Sequence, residues 1–346
     1  MAEHFPFYEF TGDPYELGRA YGSTLARQIH ETVADTLAMA ASAGQSRAAA
    51  LAWSAAQLPK IAKLGPHLVE EMRGMADGSK LSLDEITAVQ VRPGTGRMRG
   101  GCTSIAAADG ATADGRPLGA QNRDLFFGFR KKMAVTLLRP TDGPALLLHA
   151  VPGELAGTGL NSHGLALFAN SLGARNGRNW MGTPILRRVL LETKDADAAV
   201  AAARAMDGPA VGSFLLVDPA GHIRNLEILP ERVAVAAQDR GVYAHANHCL
   251  DEALFPYEQD PLPFPGSVGR CRTMNAALAA ATGKIDVAAM KRLLSLHEPT
   301  EEHICRHTDQ PTEQETAAAS IVEPATRTLH ISYGPPCEGR FAKYTI

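Results

Sequence analysis

A change of periodicity near residue 100 constrains the fold of this chain more than any other feature of its sequence. Before it, apolar residues recur at helical spacing, as at Leu17, Tyr21 and Leu25. After it, short extended segments alternate with turns. Helices and strands gathered in separate blocks, with short turns between the strands, indicate antiparallel sheets in an α+β fold. The 346 residues are enough for one large domain or two ordinary ones.

The composition argues against several classes of function. Hydrophobic residues make up 45% of the chain and charged residues 21%, which is typical of a globular protein. A formal net charge of −3 gives no electrostatic basis for binding nucleic acid or an anionic membrane. Because we find no long apolar run and no signal peptide at the start, we expect a cytoplasmic protein that binds neither nucleic acid nor membrane.

Helix signals are concentrated in the first hundred residues. Asp13 and Pro14 are typical of a helix start, and Ser82 with Glu85 fits a capping box. We predict helices over residues 13–29, 47–64, 68–78 and 82–92. This part is therefore predicted to be almost wholly helical.

Beyond residue 100 the pattern predicts strands with helices between some of them. The predicted strands lie at 105–108, 118–122, 133–138, 145–150, 157–160, 165–168, 213–217, 223–229, 233–236, 242–245, 319–322 and 329–333. One long amphipathic helix is predicted over 183–206, and two more over 268–282 and 285–296. The prolines between Pro256 and Pro265 predict a loop.

The cysteines are separated widely and contain no C-x-x-C pair. They are Cys102, Cys249, Cys271, Cys305 and Cys337. This spacing supports neither a disulfide framework nor a thiolate zinc site. Cys102 differs from the others because it follows two glycines beside a basic stretch, which favours an accessible backbone. The other four are predicted to be packing residues.

Three interpretations of Cys102 are open from the residues themselves. In the first, its thiol is a packing group in the core. Alternatively it is a papain-like nucleophile served by His245, about 143 residues downstream, although no C-G-[SA]-C-[WY] motif surrounds it. In the third, the chain is cut between Gly101 and Cys102, and the new α-amino group acts as the base. Reference pKa values of about 7.7–8.0 for the amine and about 8.5 for the thiol suit that pairing near neutral pH.

Five short motifs occur in the order and approximate spacing of a known family. They are Gly101-Cys102-Thr103-Ser104, Gln121-Asn122-Arg123-Asp124, His245-Ala246-Asn247-His248-Cys249, Asp260-Pro261-Leu262-Pro263 and Ile304-Cys305-Arg306. Together they resemble the acyl-coenzyme A:6-aminopenicillanic acid acyltransferase (isopenicillin N acyltransferase) family of N-terminal-nucleophile cysteine hydrolases. Tyr15-Glu16-Leu17-Gly18 is similar to the first helix of that family, so the resemblance spans nearly the whole chain.

The resemblance implies a four-layer αββα fold that is cut before Cys102. Residues 1–101 would form a helical segment that stays packed, and residues 102–346 the catalytic part. Cys102 would both process the chain and serve as the nucleophile of the cut protein, with Ser104 as a hydroxyl that assists processing. Asn247 would be the asparagine of the oxyanion hole.

Further site residues follow from the same resemblance. Asp124 and Arg306 would hold the nucleophile region, either as part of catalysis or as a supporting salt bridge. Asn122 shares a strand face with Asp124 by the period of two, which predicts either a polar face near the nucleophile or an exposed strand. The sequence departs from the penicillin-forming enzyme at Gly100, where the family has an acidic residue, and at Pro93-Gly94-Thr95-Gly96.

These residues together predict an enzyme that cleaves or transfers the acyl group of a small N-acyl amine, amino acid or dipeptide through a thioester on Cys102. No metal is expected at His245-x-x-His248 or His303-x-x-x-His307, because neither pair has an accompanying carboxylate motif. No cofactor is expected, although acyl-coenzyme A would be a co-substrate of a transferase. The expected partners are the small amide and the cleaved N-terminal segment. A papain-like hydrolase without self-cleavage and an uncleaved ligand-binding relative are the alternatives.

Overall fold

A computed structural model describes residues 3–94, 101–175, 177, 180–230, 232–297 and 303–346. The part before residue 95 holds a short strand and a block of helices. They are β1 (Phe7–Gly12), α1 (Pro14–Thr24), α2 (Ala26–Ser42), α3 (Arg47–Ala55), α4 (Leu58–Leu64), α5 (Pro66–Ser79) and α6 (Leu83–Val91). The predicted helix starts are present: Asp13 accepts from the backbone N–H of Glu16 at 2.8 Å, and Ser82 and Glu85 form a capping box.

The predicted helices over 13–29, 47–64 and 183–206 are each divided in two. The first breaks at Leu25, where the backbone leaves helical geometry at φ −108 and ψ 18. The last becomes α7 (Thr183–Leu191) and α8 (Ala196–Ala205), because Asp195 caps the second part by accepting from the N–H of Ala198 at 2.7 Å. The N-terminal part, predicted to be almost wholly helical, also contains strand β1, which was not predicted.

The described chain beyond residue 101 supplies most of the strands. They are β2 (Cys102–Ala107), β3 (Leu118–Phe126), β4 (Ala134–Pro140), β5 (Leu146–Ala150), β6 (Thr158–Asn161), β7 (Ala166–Asn170), β8 (Gly212–Val217), β9 (Ile223–Leu229), β10 (Arg232–Gln238), β11 (Val242–His245), β12 (Gln314–Glu323), β13 (Thr328–Ser332) and β14 (Phe341–Thr345). Helices α9 (Ser267–Ala281) and α10 (Val287–Leu294) lie between β11 and β12. Each predicted strand overlaps an observed one, while β1 and β14 were not predicted.

The strands of the described residues form two sheets. One has the order β1-β4-β5-β6-β7-β8-β9-β10, and its β1 and β4 are parallel. The other has the antiparallel order β11-β2-β3-β12-β13-β14. Side chains of a strand alternate between its two faces, so Leu147 packs between the sheets whereas Leu146 and Leu148 pack against helices.

The layers follow from three apolar cores. Helices α1 to α8 share one core with the outer face of the first sheet, and α9 and α10 share another with the outer face of the second. A third core lies between the sheets. The order of layers is helix, sheet, sheet, helix, which confirms the predicted αββα fold. Among the described helices, none has the length and apolar character that crossing a membrane requires.

The pairing of β2 with β3 determines which side chains surround the first residue of β2. Cys102 lies opposite Arg123, and Thr103 lies opposite Asn122. Directly opposed residues of an antiparallel pair point to the same side. Cys102 and Arg123 therefore face the space between the sheets, as Ala106 does, whereas Thr103 and Asn122 face the layer of α9 and α10.

Candidate active site

The thiol of Cys102 lies at the start of β2, inside the molecule. The residue is 6% exposed. Burial, reinforced by the carboxylate of Asp124, raises the pKa of this thiol to about 11, although Arg123 and Arg270 oppose the rise. In the uncut chain the thiol therefore keeps its proton at neutral pH. Any attack by its sulfur on a carbonyl has to move that proton to another atom.

Hydrogen bonds fix the peptide bond between Gly101 and Cys102 from both sides. The backbone N–H of Asp124 donates to the Gly101 carbonyl at 2.8 Å. The N–H of Cys102 donates to Oδ1 of Asn247, also at 2.8 Å. Arg270 holds the next peptide bond, between Cys102 and Thr103, by donating to the Cys102 carbonyl at 2.7 Å. The bond that the resemblance identifies as the cleavage site is thus held in position before any cleavage.

Asn247 is fully buried just after β11, and its partners determine its orientation. Arg270 donates to Oδ1 at 2.9 Å, and a guanidinium can only donate, so the amide oxygen must face it. The Nδ2 group donates to the carbonyl of Ser171 at 3.0 Å. The side chain therefore contacts the backbone nitrogen of Cys102 through its oxygen.

Ser104 belongs to a buried polar network between the sheets. Its Oγ donates to Oδ1 of Asn170 at 2.6 Å and accepts from Nε2 of Gln121 at 3.0 Å. Asn170 donates in turn to the carbonyl of Ala246 at 2.7 Å, next to Asn247. Ser104 thus connects β2 to β7 and to the segment after β11. Its assistance in processing stays a prediction.

The structure brings Asp124 and Arg306 together beside Gly101. Nε of Arg306 lies 3.4 Å from Oδ2 of Asp124, and Thr316 donates to Oδ1 at 2.8 Å. Arg306 also donates at 3.1 Å to Gln314, whose Oε1 accepts from the N–H of Gly101 at 3.0 Å. Burial raises the pKa of Asp124, and Arg306 opposes that rise. The pair therefore lies beside the Gly101–Cys102 bond, where the resemblance implies that it holds the nucleophile region.

Gly101 approaches this pair so closely that a side chain has little room. A Cβ at this position would be 3.1 Å from Oδ2 of Asp124 and 3.2 Å from Nη1 of Arg306. Both distances are tighter than nine in ten Cβ contacts in proteins, so the pair would have to move. Gly100 and the Thr95-Gly96 part of the approach, where the sequence departs from the family, lie outside the described residues.

The resemblance implies self-cleavage before Cys102, and we expect Gly101→Ala to slow that reaction by about tenfold or more and to leave the fold intact. Crowding a packed site typically costs about 1–3 kcal/mol, and about 1.4 kcal/mol is a factor of ten in rate. Electrophoresis of freshly synthesised chain measures the rate. The same change in an uncut Cys102→Ala background measures the effect of crowding on thermal stability alone. Cleavage at the wild-type rate would contradict the close approach described here.

Asn122 has structural partners on the helical side of its strand. It is fully buried, and its Nδ2 donates to the carbonyls of Leu294 and Ile304 at 2.8 Å each. It therefore joins the end of α10 to the segment that leads to Arg306. The predicted polar face of β3 is buried rather than exposed, and it faces away from the side that holds the Cys102 thiol.

The histidines after β10 are engaged away from the thiol. Nε2 of His245 lies 2.6 Å from Glu227, and its Nδ1 lies 2.9 Å from the carbonyl of Ala246. His248 contacts Oγ of Ser267 at 2.8 Å, and burial lowers the pKa of His248 to about 4. A papain-like mechanism needs a histidine directed at the thiol, and these contacts direct both rings elsewhere.

Arg270 is a site residue that the sequence did not reveal. It lies in the first turn of α9, fully buried, and burial lowers the pKa of its guanidinium to about 10. Besides its bonds to Cys102 and Asn247, it donates to Oγ1 of Thr103 at 2.9 Å. An arginine in a helix carries no sequence signal for burial, and only the packing of α9 under β2 brings it to the site.

A second group of charges, three of them buried and one, Arg92, half-buried, lies on the side of β2 that carries the thiol. We call Arg92, Arg123, Glu154 and Arg187 the arginine cluster. Arg92 forms an ion pair with Glu154, and Nη1 of Arg187 lies 3.7 Å from the same carboxylate. Burial alone would raise the pKa of Glu154, but the three arginines together hold it below its ordinary value. Three cations therefore face one carboxylate.

Several donors of this cluster are unused within the described residues. Nη1 of Arg123 and both Nε and Nη1 of Arg187 are buried without a hydrogen-bond partner there. Burial, opposed in part by Glu154, lowers the pKa of Arg187 to about 9. Burying a charge without partners is costly. Unused cationic donors on the side that carries the Cys102 thiol are therefore typical of a site that receives an anion.

Two facing sheets between helical layers form the αββα arrangement, and a Gly-Cys bond is held in position at the start of β2. Residues 111–338 match the family model described as acyl-coenzyme A:6-aminopenicillanic acid acyl-transferase. That match spans more than half of the chain, so the chain belongs to this family of enzymes acting on amide bonds, as the sequence predicted. The matched range includes Asp124, Asn247 and Arg306 and begins after Cys102.

Solved structures similar to this chain have low sequence identity to it. A mutant of the conjugated bile acid hydrolase from Clostridium perfringens has a TM-score of 0.48 at 14% identity, covering 67% of this chain and 89% of that one. A penicillin V acylase from Agrobacterium tumefaciens has a TM-score of 0.39 at 11% identity, covering 66% and 74%. The family assignment rests on the family match alone.

Proposed function

We propose that this chain is a self-processing amidohydrolase or acyltransferase whose nucleophile is Cys102. The main observation behind the proposal is that hydrogen bonds fix both the carbonyl and the N–H of the Gly101–Cys102 peptide bond. A strand that merely begins at Cys102 does not require Asn247 and Arg270 to pair with the backbone of its first residue. Both side chains are fully buried, so their burial is supported by these contacts.

Self-cleavage would proceed by attack of the Cys102 sulfur on the Gly101 carbonyl carbon. The C–N bond breaks, the thiol proton passes to the departing nitrogen of Cys102, and a thioester joins Gly101 to the sulfur. Water then opens the thioester, which leaves a carboxylate on Gly101 and a free amine and thiol on Cys102. The N–H of Asp124, 2.8 Å from the Gly101 oxygen, is placed to stabilise the oxyanion.

In the cut chain the new α-amino group would act as the base for the thiol. It takes the thiol proton as the sulfur attacks a substrate amide, and it returns the proton to the departing nitrogen. Nδ2 of Asn247 and a backbone N–H would donate to the oxyanion. Water or a second amine then removes the acyl group from the sulfur. The residues perform this chemistry without a cofactor, and acyl-coenzyme A would enter only as an acyl donor.

Mass spectrometry of the purified chain tests the first step. We expect fragments 1–101 and 102–346 that elute together under native conditions, because β1 and α1 to α6 share an apolar core with the first sheet. Cys249→Ala removes a buried cysteine elsewhere and should be cut normally. An uncut chain with full amidase activity would exclude the α-amine mechanism.

Iodoacetamide tests the alternative of an uncleaved ligand-binding protein. Equal, slow labelling of all cysteines by this reagent would favour that alternative.

The arginine cluster supports a narrower substrate class: amides that carry a carboxylate, such as N-acyl amino acids or acyl-dipeptides. Arg123 faces the same side as the Cys102 thiol. Arg187 lies near enough that a thiolate at Cys102 would raise the pKa of its guanidinium. A carboxylate held by these two side chains would use their buried donors. It would also balance the excess positive charge of the cluster.

Arg187→Gln should lower kcat/KM for N-acyl amino acids by about 10- to 100-fold, because a hydrogen bond to a charged group contributes about 1.5–3 kcal/mol. The neutral amides of the same compounds should change little. Both kcat/KM values are measured in one preparation of the variant. Their ratio is compared with that of the wild type, so any loss of folded protein cancels. Arg224→Gln is the matched control, since this buried arginine pairs with Asp197 and Asp239 instead. An equal loss for both substrates would count against the carboxylate.

A further inference from the structure

Four metal-ligating side chains converge near the surface, outside the active site. They are His297, Cys305, His307 and Cys337, and their donor atoms all lie within 4.8 Å of one another. Cys305 is buried, whereas Cys337, predicted to be a packing residue, is exposed. His307 had been paired in the sequence with His303, which does not belong to this group.

Three of the four closest distances between the donor atoms are within about 0.2 Å of those around a tetrahedral metal ion, and the fourth, from His307 to Cys337, is about 0.5 Å shorter. Zinc binds sulfur at about 2.3 Å and imidazole nitrogen at about 2.0–2.1 Å, so tetrahedral ligands lie about 3.8 Å apart for two sulfurs, about 3.6 Å for sulfur and nitrogen and about 3.3 Å for two nitrogens. The two sulfurs here are 3.7 Å apart. Nε2 of His307 lies 3.6 Å from Sγ of Cys305, 3.1 Å from Sγ of Cys337 and 3.1 Å from Nε2 of His297.

A carboxylate lies near the second nitrogen of His307, beyond hydrogen-bond distance and paired with Arg340. Nε2 of His307 faces the other three donors, and Oε1 of Glu338 lies 4.0 Å from its Nδ1. A ligating imidazole usually directs its second nitrogen to a carboxylate, a carbonyl or water, which fixes the orientation of the ring. Glu338 is the next residue after Cys337, so one turn supplies both a ligand and this carboxylate.

We propose that His297, Cys305, His307 and Cys337 form a structural metal site. Two thiolates and two imidazoles in a tetrahedral arrangement favour Zn²⁺ among the divalent ions. All four coordination positions are taken by side chains, which is typical of a structural rather than a catalytic site. Binding would release the two thiol protons to solvent.

The site would fasten three separate segments around Arg306. His297 follows α10, Cys305 and His307 flank Arg306 on either side, and Cys337 lies in the 3₁₀ turn between β13 and β14. Arg306 contacts Asp124 and Gln314 beside Gly101. A bound ion would therefore hold the backbone on both sides of this arginine. The inference is independent of the substrate and of self-cleavage.

Metal analysis of an untagged chain tests the site. The protein is loaded with zinc in the presence of a reductant, freed of unbound metal by gel filtration and analysed by elemental mass spectrometry. We expect about one equivalent per wild-type chain. The zinc content of His307→Ala and that of Cys337→Ser should both fall to background. His303→Ala is the matched control, because His303 is a neighbouring histidine outside the group, and it should keep the metal.

Two further measurements make the outcome decisive. With cobalt(II) in place of zinc, the wild-type chain should show the absorption of a tetrahedral thiolate complex, and Cys337→Ser should lose it. A chelator should lower the thermal midpoint of the wild type and leave that of His307→Ala unchanged. A folded wild-type chain that retains no metal, equal metal in His307→Ala, or a Cys305–Cys337 disulfide that persists under the loading conditions would overturn the proposal.

Discussion

The Cys102→Ala chain is expected to remain a single uncut chain without measurable amidase activity. In the proposed mechanism one sulfur breaks the Gly101–Cys102 bond and then carries the acyl group of the substrate, so its removal stops both reactions. Intact mass measures the first reaction, and release of free amine from N-acyl amino acids measures the second. The loss should reach the uncatalysed background, the largest effect that we expect from any substitution.

The fold of this variant should be unchanged, which separates chemistry from stability. Cys102 is replaced by a slightly smaller apolar residue, and the hydrogen bonds to Asn247 and Arg270 come from its backbone. The thermal midpoint of Cys102→Ala should therefore lie near that of the other variants before they are cut. Cleavage of the folded variant at the same bond would show that a different group attacks Gly101, and Cys102 would lose its processing role.

Local signals in the sequence were enough to predict an α+β fold with antiparallel sheets, and the resemblance supplied its four layers, but neither predicted the strands at the edges of the sheets. Capping at Asp13 and Ser82 and the turns between strands are determined by neighbouring residues, and these predictions are confirmed. Strand β1 has no such signal, because its partner β4 lies far along the chain and the pairing is parallel. The division of the long helix at Asp195 does have a local signal, because a capping aspartate precedes an alanine run. It was missed because the helical periodicity continues on both sides of that residue.

The site was predicted only as far as the motifs reach. The resemblance named Asp124, Asn247 and Arg306, and the structure brings all three to the backbone around Gly101 and Cys102. The resemblance gave no register for the pairing of β2 with β3. A shift of one residue in that register exchanges the two faces of a strand. Whether Arg123 or its neighbour shares the side of the thiol could not be predicted for that reason.

Residues from distant segments were missed because nothing in their own surroundings marks them. Arg270 and Arg187 are helical arginines whose burial depends on how α9 and α7 pack. The four ligands of the proposed metal site come from three segments, and the pattern His303-x-x-x-His307 suggested a different partner for His307. Such groups become visible only when the fold has placed the segments side by side.

Asn247→Ala is expected to lower both self-cleavage and turnover by about 10²–10³-fold, which corresponds to about 2.7–4 kcal/mol. It removes the oxygen that accepts from the N–H of Cys102 and from Arg270, and it also removes the amide donor. Cleavage is measured by electrophoresis of new chain, and turnover by amine release from chain that has been cut. Wild-type rates in both measurements would show that Asn247 only fills space.

Asn247→Asp distinguishes the two atoms of the amide, because it keeps an oxygen toward Cys102 and replaces Nδ2 by an acceptor. If the oxygen positions the peptide bond and the nitrogen stabilises the later oxyanion, this chain is cut near the wild-type rate but turns over as slowly as Asn247→Ala. The charge of the new carboxylate is offset by Arg270, which already donates to this position at 2.9 Å. The second oxygen of that carboxylate loses the bond that Nδ2 donates to the Ser171 carbonyl, so thermal unfolding is measured before the rates are compared. Wild-type turnover would remove the oxyanion role, whereas a block of cleavage alone would reverse the assignment. The expected split follows from the geometry, since Oδ1 faces the peptide nitrogen that cleavage converts into the catalytic amine, while only Nδ2 can donate to a developing negative charge.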